Sequence, residues 1–154
     1  MVNLLVALLM SLAPGSPAPV LDVTTIDGTR ITSESLKGRV VMVDFWATWC
    51  GPCVKSLPIY QEMHARHKDK GLTIIAVSID DELRNLKRFV KAHNLKLPIV
   101  HDADKTLVKF FAPPKMPTAY LIDRAGNIDE IHAGYDPGDE AKIEKKLKAL
   151  LEAP

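Results

Sequence analysis

The chain has 154 residues, 47% of them apolar and 25% charged, and a formal net charge of +1. Twenty basic side chains against nineteen acidic ones leave no excess field to hold a nucleic-acid backbone or an anionic membrane surface. No stretch reaches the roughly 18 uninterrupted apolar residues of a spanning helix, and no repeat or biased segment points to a fibre or a solenoid.

Met1 to Leu21 carries no charged side chain. Leu4 to Leu12 forms an apolar core of signal-peptide length, followed by the small, proline-rich run Ala13-Pro14-Gly15-Ser16-Pro17-Ala18-Pro19. Pro14, Pro17 and Pro19 end any helix there, and Ala13 and Gly15 offer small residues for cleavage. Residues 1–19 are therefore expected to be an export signal or apolar leader, and residues 20–154 the folded domain. No cysteine lies near the leader to take a lipid anchor.

Leu21 to Ile26, Asp27-Gly28 and Thr29 to Ile31 predict a β-ribbon joined by a two-residue turn. Val40 to Trp46 is an almost continuous apolar run, as in a strand buried on both faces. A helix follows from Pro52 to about Lys68, with Leu57, Tyr60, Met63 and His64 at helical spacing and Pro58 kinking it. Leu72 to Ile79 is the second buried strand. Asp81 to His93 is a helix with Leu83, Leu86 and Val90 inward, Pro98 to Val100 is extended, and a short helix covers Asp104 to Phe111. Thr118 to Asp123, a turn at Arg124-Ala125-Gly126-Asn127, and Ile128 to Ala133 form a hairpin. Asp139 to Leu151 is an amphipathic helix with Ile143 and Leu147 inward and its lysines in water. Alternating strands and helices that end in a hairpin imply an α/β domain with a central mixed sheet flanked by helices.

The chemistry concentrates at Trp49-Cys50-Gly51-Pro52-Cys53, after the buried strand and at the start of the kinked helix; these are the only two cysteines. As a staple, the bridge closes a loop of about four residues and contributes only about 2 kcal/mol. As a zinc site, two thiolates lack two further ligands, and His64 and His67 stand outside the usual spacings. Val54 after Cys53 excludes c-type haem attachment. Redox chemistry suits the position better. A thiolate at a helix N-terminus meets free N–H groups and the positive end of the dipole, so Cys50 is expected to be the nucleophile and Cys53, one turn on, the resolving thiol. Pro52 suits the first helical turn, and Gly51 lets the backbone turn beside the sulfurs. Asp44, alone among Val41, Met42, Val43, Phe45 and Trp46, is expensive to bury without a role; burial raises its pKa and fits it to take the Cys53 proton.

Val43-Asp44-Phe45-Trp46-Ala47-Thr48-Trp49-Cys50-Gly51-Pro52-Cys53 resembles the active-site segment of the thioredoxin superfamily, with Pro58 at the position of its helix kink and Met116-Pro117-Thr118 similar to its cis-proline loop. The Asp27-Gly28 ribbon, Ser35-Leu36-Lys37-Gly38 and the insertion from Asp80 to Ala112 resemble exported TlpA/ResA-like thiol-disulfide oxidoreductases. The resemblance implies a thioredoxin-like fold with an N-terminal ribbon and a central insertion. It implies Cys50, Cys53 and Asp44 in catalysis as a redox-active disulfide with a buried acid, and Trp49, Gly51 and Pro52 in support. Met116, Pro117 and Thr118 become the substrate-binding loop, with Pro117 cis and the Met116 backbone open to an extended substrate segment. No metal or other cofactor is expected.

Two positions depart from the pattern. Ser56 stands where many ResA-like chains carry the Glu associated with cytochrome c maturation, and Ala76 stands where thioredoxins place a Lys near the buried Asp. Without that cation Asp44 is harder to ionise. The implied partners are disulfide-containing exported proteins and a membrane thiol transporter as electron donor, with the chain a monomer in the periplasm or another extracytoplasmic space. Other classes predict different behaviour. A thiol peroxidase lacks its Pro-x3-Thr-x2-Cys pattern here, since Thr48 lies only two residues before Cys50. A metallochaperone or holdase predicts no turnover with a disulfide substrate.

Overall fold

The computed structural model describes residues 12–154. The sheet is built around β3 (Val40–Trp46), whose seven residues are all buried. It pairs in parallel with β4 (Leu72–Ser78) on one side and antiparallel with β6 (Thr118–Ile122) on the other. β5 (Ile99–His101) adds in parallel outside β4, and β7 (Ile128–Ala133) antiparallel outside β6, giving the order β5-β4-β3-β6-β7. The ribbon β1 (Asp22–Thr24) and β2 (Arg30–Thr32) forms a separate two-stranded sheet.

Alternation along β3 divides the core into two layers. Val40, Met42 and Trp46 face α1 (Gly51–His67), α2 (Leu83–Ala92) and α4 (Asp139–Glu152), meeting Leu57, Tyr60, Met63, Leu86, Ile143 and Leu147. Val41, Val43 and Phe45 face α3 (Thr106–Phe111) and the ribbon, where Phe45, Phe111 and Tyr120 pack with ring centroids 5.0–5.8 Å apart. An α/β mixed sheet with helices on both faces is the expected architecture.

Two local expectations are corrected. The ribbon turn is three residues long, Ile26–Gly28, closed by the Thr25 N–H donating to the Thr29 carbonyl at 2.8 Å. Gly28 takes the left-handed conformation at φ 93°, while Asp27 spends its carboxyl on the Thr25 hydroxyl and the Thr29 N–H. Leu83 is 40% exposed, because only the later turns of α2 reach the core; there Phe89 lies 5.7 Å from the Trp46 ring and Val90 packs beside it.

The leader expected over residues 1–19 falls for residues 1–11 outside the described residues. Residues 12–19 lie against the start of β7: Gly15 N–H donates to the Ile128 carbonyl at 2.6 Å, Ile128 N–H to Ser16 at 2.8 Å and Ala18 N–H to Gly126 at 2.9 Å. Leu12 and Ala18 pack on the ribbon-side core. Arg124, a turn residue by sequence, staples three segments by donating to the carbonyls of Gly38, Lys70 and Leu151. Gly71 takes the left-handed conformation at φ 108° that favours glycine, and a Cβ there would also come 2.9 Å from Arg124 Nη1.

Candidate active site

The C-terminal ends of β3, β4 and β5 lie at one end of the sheet, and the start of β6 joins them there, since Thr118 pairs with Phe45 while Ser78 pairs with Trp46 and His101 with Ser78. Loops at this end of an open α/β sheet form its usual crevice. The β3–α1 loop is the tight turn Ala47–Cys50, closed by the Cys50 N–H donating to the Ala47 carbonyl at 3.1 Å. α1 then starts at Gly51, with Pro52 in its first turn.

Cys50 is the N-cap of α1, and the Cys53 N–H points at its sulfur at 3.4 Å. Cys50 and Cys53 are joined by a disulfide, their Cα atoms 5.3 Å apart. Cys50 retains 7% exposure and Cys53 none. On reduction, a thiolate on Cys50 meets both that N–H and the positive end of a 17-residue helix, whereas Cys53 is enclosed by the core. Trp49 lies 68% exposed beside the pair, and Gly51 and Pro52 form an exposed bridge between the cysteines.

Asp44 is fully buried in the central strand. Its register neighbours are Ala76 on β4 and Ala119 on β6, so neither flanking strand places a polar side chain directly beside it. Neither carboxyl oxygen has a hydrogen-bond partner. Desolvation pushes the carboxyl well above the usual carboxylate range. By strand alternation its side chain shares the face of Met42 and Trp46, the face covered by α1 and its Cys53. Ser56 and Tyr60 are buried on α1; Ser56 donates to the Cys53 carbonyl at 3.0 Å, and burial with the Asp44 charge pushes the Tyr60 phenol upward.

Met116-Pro117 is a cis peptide directly before β6. Met116 is half-buried and packs against both layers of the core, Pro117 is buried, and the buried Thr118 donates its hydroxyl to the Lys115 carbonyl at 2.6 Å. His64 and His67, the sequence candidates beside the cysteines, do not converge on them. His67 Nε2 meets Glu144 at 2.8 Å, and burial lowers the His64 pKa.

Sequence reasoning missed the loop after β4. Asp80 there is buried and accepts hydrogen bonds from Thr48 in the redox turn. The available signal was Ser78-Ile79-Asp80, an acid at the end of a buried strand, together with a Thr two residues before Cys50. A cleft of about 600 Å³ opens beside it, lined by Thr48, Trp49, Glu82, Arg88 and Phe89 among others.

Comparison with known proteins identifies the family of the chain. The AhpC/TSA family matches residues 14–131. The chain is 37% identical over 136 residues to the thiol-disulfide oxidoreductase ResA of Bacillus thuringiensis subsp. konkukian, a match covering 88% of this chain and 78% of that one. A crystal structure described as a DsbE-type thiol:disulfide interchange protein of Chlorobium tepidum superposes with a TM-score of 0.86 at 32% identity, covering 92% of this chain and 99% of the other. StoA from Bacillus subtilis superposes with a TM-score of 0.72 at 29% identity, covering 86% and 99%. The fold is thioredoxin-like, and with its Cys50–Cys53 redox pair the chain belongs to the AhpC/TSA family as a thiol-disulfide oxidoreductase of the ResA/DsbE type.

Proposed function

We propose that the chain reduces disulfides of exported proteins through a mixed disulfide, with Cys50 attacking, Cys53 resolving and Asp44 accepting the Cys53 proton. The supporting observation is the asymmetry of the pair: Cys50 caps α1 with an N–H aimed at its sulfur, and Cys53 is sealed on the face shared with the unpartnered Asp44. The Cys50 thiolate attacks one sulfur of the substrate bridge, and the other leaves as a thiolate that takes a proton from water. Cys53 passes its proton to Asp44 and attacks Cys50 Sγ, which forms the Cys50–Cys53 bond and releases the second substrate thiolate. The substrate gains two electrons, and the pair ends in the bridged state seen here. Burial raises the Asp44 carboxyl well above the usual carboxylate range, so it is a stronger base than an exposed carboxylate and better suited to exchange that proton.

Trp49, Gly51 and Pro52 shape the surface around the pair. The Met116-Pro117-Thr118 loop, at the same end of the sheet, offers backbone groups to an extended substrate segment in the manner of strand addition. Residues 1–19 direct the chain to the periplasm or another extracytoplasmic space, where it works as a monomer. A membrane thiol transporter supplies the electrons. Gly51-Pro52 matches thioredoxin, near about −270 mV, and differs from the oxidising DsbA type, near about −120 mV. The test is the equilibrium potential of the pair in glutathione or dithiothreitol buffers, followed by Trp fluorescence. A value below about −230 mV supports reduction, and one above about −180 mV overturns it in favour of an oxidase or isomerase.

A further inference from the structure

The β4–α2 connection grips the redox turn through one side chain. Asp80, two residues beyond β4, is only 4% exposed. Its Oδ2 accepts the Thr48 N–H at 3.1 Å and the Ser78 hydroxyl at 2.6 Å, and its Oδ1 accepts the Thr48 hydroxyl at 2.6 Å. Both donors of Thr48 therefore end on one carboxylate. The backbone around it is fixed as well: Ile79 N–H donates to the Trp46 carbonyl at 2.9 Å, Asp80 N–H to the Ser78 hydroxyl at 3.0 Å, and His101 Nε2 to the Asp80 carbonyl at 2.7 Å. The turn that carries Cys50 is closed from within by Ala47 and held from outside by Asp80.

We propose that Asp80 is a positioning residue for the redox reaction: its carboxylate fixes the Thr48-Trp49 turn and sets a buried negative charge against the cysteine pair, opposing the Cys50 thiolate. The helix N-terminus and the Cys53 N–H favour that thiolate, and a nearby anion works against them. Stabilising the thiolate stabilises the reduced form and makes a pair more oxidising, as in DsbA, so an anion that opposes it keeps the pair reducing. Arg88 and Glu82 line the same cleft as Asp80. Among the described residues no cation pairs with Asp80; the Lys105 ammonium donates instead to the Ile79 carbonyl at 2.7 Å and to Asp81 at 3.3 Å. Three donated hydrogen bonds explain how an acid is accommodated at this depth.

The consequence for redox poise rests on the reductive reading above, whereas the hold on Thr48 does not. The test compares the potential of the pair and the pH midpoint of Cys50 alkylation in the wild-type chain, Asp80→Asn and Asp80→Glu. Asp80→Asn is expected to move the thiol–disulfide equilibrium about tenfold toward the reduced pair, about 30 mV, and the alkylation midpoint down by about one pH unit. Asp80→Glu, which keeps the charge, is expected to bring both values back toward the wild type. A purely structural role would lower the melting temperature and leave both readouts in place, and that result overturns the proposal. If Asp80→Asn fails to fold, Thr48→Val decides. Removing one donor leaves the anion less neutralised, so both readouts must shift in the opposite sense, and no shift overturns the proposal. A wild-type potential above about −180 mV would refute the reductive reading alone, because the Asp80 test reads only the difference between variants.

Discussion

Asp44→Asn removes the charge of the buried carboxyl while keeping its shape. In the folded chain neither oxygen has a partner, the flanking residues are Ala76 and Ala119, and burial raises the pKa well above the usual range. A raised folded-state pKa means that the native chain keeps a proton which the unfolded chain releases. From the unfolded value of about 3.9 up to the folded value, stability therefore falls as pH rises, by about 1.4 kcal/mol for each pH unit. Asn does not titrate. The variant is expected to lie closest to the wild type near pH 4 and to exceed it increasingly above, by about 3–6 °C in Tm per pH unit within that window, at roughly 2–4 °C per kcal/mol for a chain of this size. The same change takes away the proposed proton acceptor. With a mixed disulfide of Cys50 and thionitrobenzoate formed in advance, release of the dye by Cys53 is expected to slow about 10²-fold at neutral pH. The deficit should shrink at higher pH as hydroxide takes over the deprotonation. A release rate within about threefold of the wild type at neutral pH refutes the acid–base role. A stability difference that does not grow with pH refutes the assignment of a carboxyl destabilised by burial.

Cys53→Ser is expected to accumulate a covalent Cys50–substrate adduct visible on non-reducing gels, whereas Cys50→Ser forms none; an adduct trapped on Cys53 instead reverses the two roles. Asp139 begins α4 and accepts the Asp136 N–H at 2.8 Å and a His132 Nε2 bond at 3.1 Å, and these contacts depress its pKa to about 2. Its contribution is complete above the unfolded value of about 3.9 and is lost as pH falls through the folded value, so Asp139→Asn should cost about 1 kcal/mol in urea melts at neutral pH, with the cost shrinking through about pH 3 and 2 and gone only below the folded value. Starting the chain at Pro19 removes the three hydrogen bonds of residues 15–18 with the β6–β7 turn and β7, together with the contacts of Leu12 and Ala18. At roughly 0.5–1.5 kcal/mol per hydrogen bond, a loss of about 2–4 kcal/mol is expected by denaturant titration.

The sheet was legible because its central strands announce themselves. Val40–Trp46 and Leu72–Ser78 are nearly unbroken apolar runs, and strands buried on both faces need no alternation. Asp44 was legible for the same reason in reverse, as the single charge in such a run. Leu83 misled because helical spacing identifies a stripe of residues but not how far along it the core extends; α2 meets the sheet only from Leu86 onward. Arg124 and Asp80 escaped because their partners are remote in sequence. Arg124 reaches Gly38 across 86 residues, and Asp80 reaches Thr48 across 32. A polar residue in a turn reads as solvated until the fold brings a buried donor to it.

Asp44 and Asp80 show how one residue type is given two tasks by the backbone around it. Both are buried, Asp44 in the central strand and Asp80 in the loop after β4, and desolvation penalises a charge at either position. At Asp80 the ends of β3 and β4 supply two hydroxyls and an N–H, so both oxygens are held as acceptors and the side chain serves as a fixed tie between loops. At Asp44, two residues before the end of β3, the sheet uses every neighbouring backbone donor in its own ladder, and the facing positions are alanines. Nothing there rewards ionisation, so the Asp44 carboxylate binds a proton more tightly than an exposed one, which is what suits it to take the Cys53 proton. A serine at position 76 or 119 would supply a donor to Asp44, lower its proton affinity and stabilise the fold, and would weaken the exchange with Cys53 for which an unpartnered acid is suited.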